Sequence, residues 1–136
     1  MQNVVLIGLG GGLGSILRFL VTNAAQGWAM RWLGFAFPLG TMIVNLTGSL
    51  AIGILMGLFT GRLPVSDSVR LMLVTGILGG YTTFSSYAYE TMALAGGGNG
   101  RAAVLNLIVQ NAVALLLVWV GFRGVQFLAG SAVSSS

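Results

Sequence analysis

Six arginines and two acids, Asp67 and Glu90, are all the formal side-chain charge that this chain offers a solvent over 136 residues. An ordinary soluble domain carries about 25% charged residues, whereas this chain carries 6%. So few charges cannot cover the exterior of a fold in water. Lipid must be the solvent for most of the surface, and the chain reads as an all-α membrane protein. Its length leaves room for four spans of about 20 residues, the length that crosses the hydrocarbon core, and for no soluble domain beside them.

The spans are expected at about 4–21, 37–59, 69–94 and 102–127, in a single transmembrane domain covering 1–129, followed by a disordered Gly/Ser/Ala tail at 130–136. The first lacks the positively charged start of a signal peptide, so it is expected to be retained. A loop with Gln26, Trp28, Arg31 and Trp32 should follow it, because tryptophan beside arginine suits the membrane interface. Ser66 or Asp67 is placed to cap the third helix. Within that helix, Gly79-Gly80 followed by Thr82-Thr83 invites a break where the bilayer centre should lie.

Absent residue types exclude much chemistry. The chain has no cysteine and no histidine, which removes disulfides, thiol redox chemistry and thiolate or imidazole metal sites. No nucleophile–base pair or carboxylate pair appears either, so the chain is not read as an enzyme. The net charge of +4 comes from arginines scattered singly, a pattern of span-flanking residues and not of a nucleic-acid surface.

Those arginines do not choose an orientation. Arg62, Arg70 and Arg123 fall on one side of a four-span topology, and Arg18, Arg31 and Arg101 on the other. Orientation normally follows an imbalance in this count. One explanation is dual topology, in which copies insert both ways and pair as an antiparallel dimer. The other is that one arginine, such as Arg70 or Arg123, sits deeper than its place in the sequence suggests.

Several polar residues fall inside spans. The glycines from Gly8 to Gly14 do not complete a nucleotide-binding fingerprint and are read as close-packing positions. Asn45, with Thr47 and Ser49, needs partners that lipid does not offer; the spacing leaves open an interhelical bond or a donor lining a water-filled path. Phe84 and Tyr87 are three apart and share a helix face, while Ser85 lies on an adjacent stripe. Asn106 and Gln110, four apart, share a face of the fourth span. Glu90, near the end of the third, could pair with Arg101 or with a partner's arginine. Arg18 could snorkel to the surface.

Together these pieces resemble the CrcB or Fluc family of fluoride channels, over roughly 10–121. Gly10-Gly11-x-x-Gly14-Ser15-x-x-Arg18-Phe19 and Gly40-Thr41-x-x-Val44-Asn45-x-x-Gly48-Ser49 are similar to its first- and second-helix patterns. Gly79-Gly80-Tyr81-Thr82-Thr83-Phe84-Ser85-Ser86-Tyr87-x-x-Glu90 resembles its most specific motif, and Asn106-x-x-x-Gln110 before Trp119-x-Gly121 is a weaker echo of the fourth.

The resemblance implies a passive channel exporting toxic cytoplasmic fluoride across the inner cell membrane, as an antiparallel dual-topology homodimer with two pores. It implies that carbonyls of Gly79 and Thr82 hold a structural sodium ion at the dimer centre. Asn45, Phe84, Tyr87, Ser85 and Asn106 would line the fluoride path, with Arg18 and Glu90 as accessory residues. The chain departs from the family at Tyr87, usually phenylalanine, at Ser86 and Ala88, and at Gln110, where a small polar residue is common. The rival reading is a proton-coupled exporter of the small multidrug-resistance type. Such an exporter needs a membrane carboxylate, typically in the first helix, and this first span has none.

Overall fold

The computed structural model describes residues 1–33, 37–60 and 63–133, and these are helical apart from short connections. Helix α1 is Gln2–Leu33 and α2 is Leu39–Phe59. Helix α3 covers 67–81; it is α-helical at Asp67–Arg70 and Gly79–Tyr81 and π-helical at Leu71–Leu78. Helix α4 is Phe84–Gly96. Helix α5 covers 100–133, with a π-helical turn at Val109–Val113 between Gly100–Ile108 and Ala114–Val133. Among the described residues, α1, α2 and α5 are each long and apolar enough to cross a membrane. Helices α3 and α4 follow one another as the discontinuous third span.

Helix α1 runs well past the expected end at 21. Thr22–Leu33 has no proline, a single glycine and several good helix formers, so nothing stops the helix where the membrane ends. Thirty-two residues make a rod of roughly 48 Å, longer than the hydrocarbon core of about 30 Å. The residues expected in a loop therefore lie on the last turns. There Trp28 and Trp32 are exposed, with ring centroids 6.3 Å apart. Arg18 lies within this helix, well before its end.

Ser66 is the cap of α3, its hydroxyl accepting from the Val69 N–H at 3.4 Å. The turn into α5 is made at Gly98, whose φ of 83° favours a residue without a side chain. Helix α5 runs on to Val133; the rest of the expected tail, and Arg62, lie outside the described residues.

Close backbone approaches hold the helices together, as expected where lipid gives apolar side chains no drive to associate. Helix α1 lies against α3: a Cβ on Gly10 would sit 2.7 Å from the Met72 carbonyl, and one on Gly14 would collide with that of Ile77. Helix α2 lies against α5, where a Cβ on Gly121 would meet the Leu50 carbonyl at 2.7 Å and one on Gly53 would strike that of Val118. Phe37, Leu94 and Ala103 form a small apolar core where α2 begins, α4 ends and α5 begins. Large apolar residues such as Leu9, Ile16, Leu115 and Trp119 face outward.

Candidate functional site

The third span breaks at Thr82 and Thr83, which are extended at φ/ψ of −85°/159° and −151°/117°. Gly79 and Gly80, the expected breakers, stay helical. Gly80 is needed for contact, since a Cβ there would strike the Gly11 carbonyl of α1. Hydroxyls close the two ends instead. Thr82 donates both its N–H and its Oγ1 to the Leu78 carbonyl, each at 3.0 Å, finishing α3. Thr83 caps α4, its Oγ1 accepting from the Ser86 N–H at 3.3 Å.

Asn45 of α2 takes over the bonds that the break frees. Its Oδ1 accepts from the Thr83 N–H at 2.8 Å, and its Nδ2 donates to the Thr83 carbonyl at 3.0 Å. The same Nδ2 donates to Gln110 Oε1 at 2.7 Å. Beyond it, Gln110 Nε2 donates to Asn106 Oδ1 at 3.0 Å, and Asn106 Nδ2 to Thr91 Oγ1 at 2.8 Å. Thr91 then donates to the Tyr87 carbonyl at 2.7 Å. A peptide N–H can only donate, so Thr83 fixes which way Asn45 faces. Each amide in turn then fixes the next. The result is a polar ladder running one way across α2, α5 and α4.

The π-helical turn at Val109–Val113 serves this ladder. It lets the neighbours Gln110 and Asn111 both face the site, and Asn111 Nδ2 donates to Tyr87 Oη at 2.7 Å. Tyr87 is buried and meets Phe84 edge-on at a centroid distance of 5.4 Å, whereas Phe84 is 75% exposed. A cavity of about 380 Å³ opens at the break, and its lining includes Asn45, Ser49, Thr83, Phe84, Tyr87 and Gln110. No acid and no arginine lines it.

Asn45, Phe84 and Tyr87 are thus brought together. Asn106 is fully buried two steps along the ladder from Asn45. Ser85 lies outside the cavity lining, exposed, 3.4 Å from Thr83 Oγ1. Gly79 loses its ordinary helical partner because the Thr83 N–H is turned to Asn45. Thr82 likewise loses the Ser86 N–H, and its carbonyl instead accepts from Arg18 Nη1 at 3.3 Å. Arg18 therefore reaches inward to the break and does not snorkel outward. Within this chain, Glu90 pairs with no cation among the described residues, Arg101 included. Its Oε1 accepts from Thr41 at 2.8 Å, while its Oε2 is buried without a partner.

Thr83, Thr41, Thr91, Gln110 and Asn111 were not singled out as site residues from the sequence. Thr41 had a signal: it stands four before Asn45, on the same face of α2. Gln110 had one too, four after Asn106. The rest depends on tertiary contacts.

Residues 5–122 match the family model described as CrcB-like protein, Camphor Resistance (CrcB). The chain is 42% identical over 121 residues to a protein of Chloroflexus aurantiacus named fluoride-specific ion channel FluC, covering 89% of this chain and 93% of that one. A protein of Roseiflexus sp. with the same name is 43% identical over 120 residues, 88% of this chain and 94% of its own. One from Rhizobium meliloti, again so named, is 38% identical over 121 residues, 89% and 94%. With its long apolar helices, the chain is an integral, multi-pass membrane protein.

Proposed function

The chain belongs to the CrcB-like family, and on that premise we propose that it is a passive fluoride-selective channel, exporting the toxic ion across the inner cell membrane. The observation that carries this reading is the cavity at the break. It offers neutral donors and aromatic edges, with no acid to repel an anion and no cation in its lining to trap one. Conduction needs binding that is favourable but weak enough to leave. Fluoride is small and strongly hydrated, so its dehydration must be offset by close donors. Asn45 and the ring edges of Phe84 and Tyr87, which carry partial positive charge, fit that need.

The working unit is two copies, inverted, with two pathways. The break supports this. Gly79, Phe84 and Ser85 are exposed beside non-helical backbone, and such backbone survives at membrane depth only inside protein or beside a water-filled cavity. A second copy of the chain is the cover that the resemblance implies. The carbonyls of Gly79 and Thr82, freed from their helical partners, suit a sodium ion in the manner of discontinuous transporter helices. When bound, it would supply a fixed positive charge. The Thr82 carbonyl accepts from the Arg18 guanidinium at 3.3 Å, so sodium at that carbonyl requires Arg18 to turn away.

Purified protein reconstituted in liposomes tests the reading. Fluoride efflux with an uncoupler present, without comparable chloride efflux, is the expected result. Equal chloride flux, or drug uptake driven by a pH gradient, would overturn it in favour of another transporter.

A further inference from the structure

We infer that the side-chain carbonyl of Gln110 is a built-in stand-in for the transported anion, holding the Asn45 donor until an ion displaces it. The inference rests on the fluoride-channel reading and goes beyond it, to what sets the apparent affinity of this particular chain.

Three observations lead there. An amide nitrogen has two hydrogens, and both of Asn45 are in use: one on the Thr83 carbonyl at 3.0 Å, the other on Gln110 Oε1 at 2.7 Å. Asn45 thus has no donor to spare for an ion entering the cavity. Of its two bonds, the one to Thr83 belongs to a clamp on both sides of that residue's peptide groups, and giving it up would leave the break unsupported. The bond to Gln110 is a single contact with a side chain that also lines the cavity. That is the bond an anion can replace without unfolding backbone.

The ladder leaves Gln110 no other way to face. Thr83 fixes Asn45, Asn45 requires an acceptor from Gln110, and Asn106 Oδ1 requires its Nε2 at 3.0 Å. The carbonyl oxygen is therefore pinned at the Asn45 donor whenever no ion is there. A shorter residue at this position could not reach Asn45, and the donor would stand open. Gln110 acts through Asn45, so it is a positioning residue that raises the fluoride concentration needed to fill the site.

The test is fluoride efflux from liposomes as a function of fluoride concentration, for the unmodified chain, Gln110→Ser and Gln110→Met. Serine shortens the side chain, and methionine keeps its length while removing the carbonyl. Both are expected to lower the half-saturating fluoride concentration by about three- to tenfold, the value of one exchanged hydrogen bond, without a matching fall in maximal rate. If Gln110→Ser does not fold, Gln110→Met carries the measurement. An unchanged or raised half-saturating concentration in a conducting variant would overturn the inference and leave the channel reading intact. Absence of selective fluoride flux from the unmodified chain would instead overturn the channel reading, and this inference with it.

Discussion

Asn45 and Thr83 bond twice across the break in the third span, Oδ1 to the N–H at 2.8 Å and Nδ2 to the carbonyl at 3.0 Å. One side chain thus replaces helical bonds at a point where lipid offers none. A residue read from sequence as either a packing amide or a pore donor is first of all the support of the non-helical segment.

Asn45→Asp is therefore expected to suppress fluoride flux and to destabilise the fold. Aspartate can accept from the Thr83 N–H but cannot donate to the Thr83 carbonyl or to Gln110. Each buried group left unsatisfied costs about 1–3 kcal/mol. Flux and melting temperature in detergent, measured on the same preparation, decide the matter; an unchanged flux in folded protein removes Asn45 from the pathway.

The α1–α3 contact predicts opposite effects for two substitutions on one helix. Gly14→Ala should cost about 1–3 kcal/mol by forcing a methyl group onto the Ile77 carbonyl. Gly27→Ala meets nothing within 4 Å and should be neutral or gain up to about 1 kcal/mol from helix propensity. Thermal melts that rank the two the other way round would contradict this α1–α3 packing.

Thr41 is the sole hydrogen-bond partner of Glu90 among the described residues. Thr41→Val should leave both carboxyl oxygens unsatisfied and cost about 1–3 kcal/mol, while Thr41→Ser keeps the donor and stays near the starting stability. Equal melting temperatures for the two variants would show that this bond contributes nothing.

Tyr87→Phe removes one of the two acceptors of Asn111 Nδ2, leaving the Leu107 carbonyl, and should cost about 0.5–1.5 kcal/mol. The ring edge facing Phe84 remains, so selective fluoride flux is expected to persist. Loss of selectivity in a stable Tyr87→Phe protein would mean that the hydroxyl itself serves the ion.

The spans were legible because uncharged apolar runs leave a chain no alternative to lipid. Where helices end was less so: Trp28, Arg31 and Trp32 mark an interface chemically, but nothing in them halts a helix. The break was expected among Gly79, Gly80, Thr82 and Thr83 and falls on the threonines, because Gly80 must remain helical to lie against Gly11. Glu90 shows the limit most plainly. Within the chain, Arg101 was the cation nearest in sequence, yet Thr41 holds Glu90 from 49 residues away. Gln110 stood out as an amide in an apolar helix, but its bond to Asn45 depends on the π-helical turn at Val109–Val113, which no periodicity in that stretch announces.

The central claim is passive, selective conduction of fluoride, and the reversal potential under opposed ions tests it most directly. The protein is placed in a planar bilayer with a tenfold fluoride gradient, chloride making up the balance on the dilute side. The account predicts a reversal potential at the fluoride equilibrium value, about 59 mV at 25 °C, unmoved by an imposed pH difference. A reversal potential near zero, or one that follows the pH gradient, would contradict it.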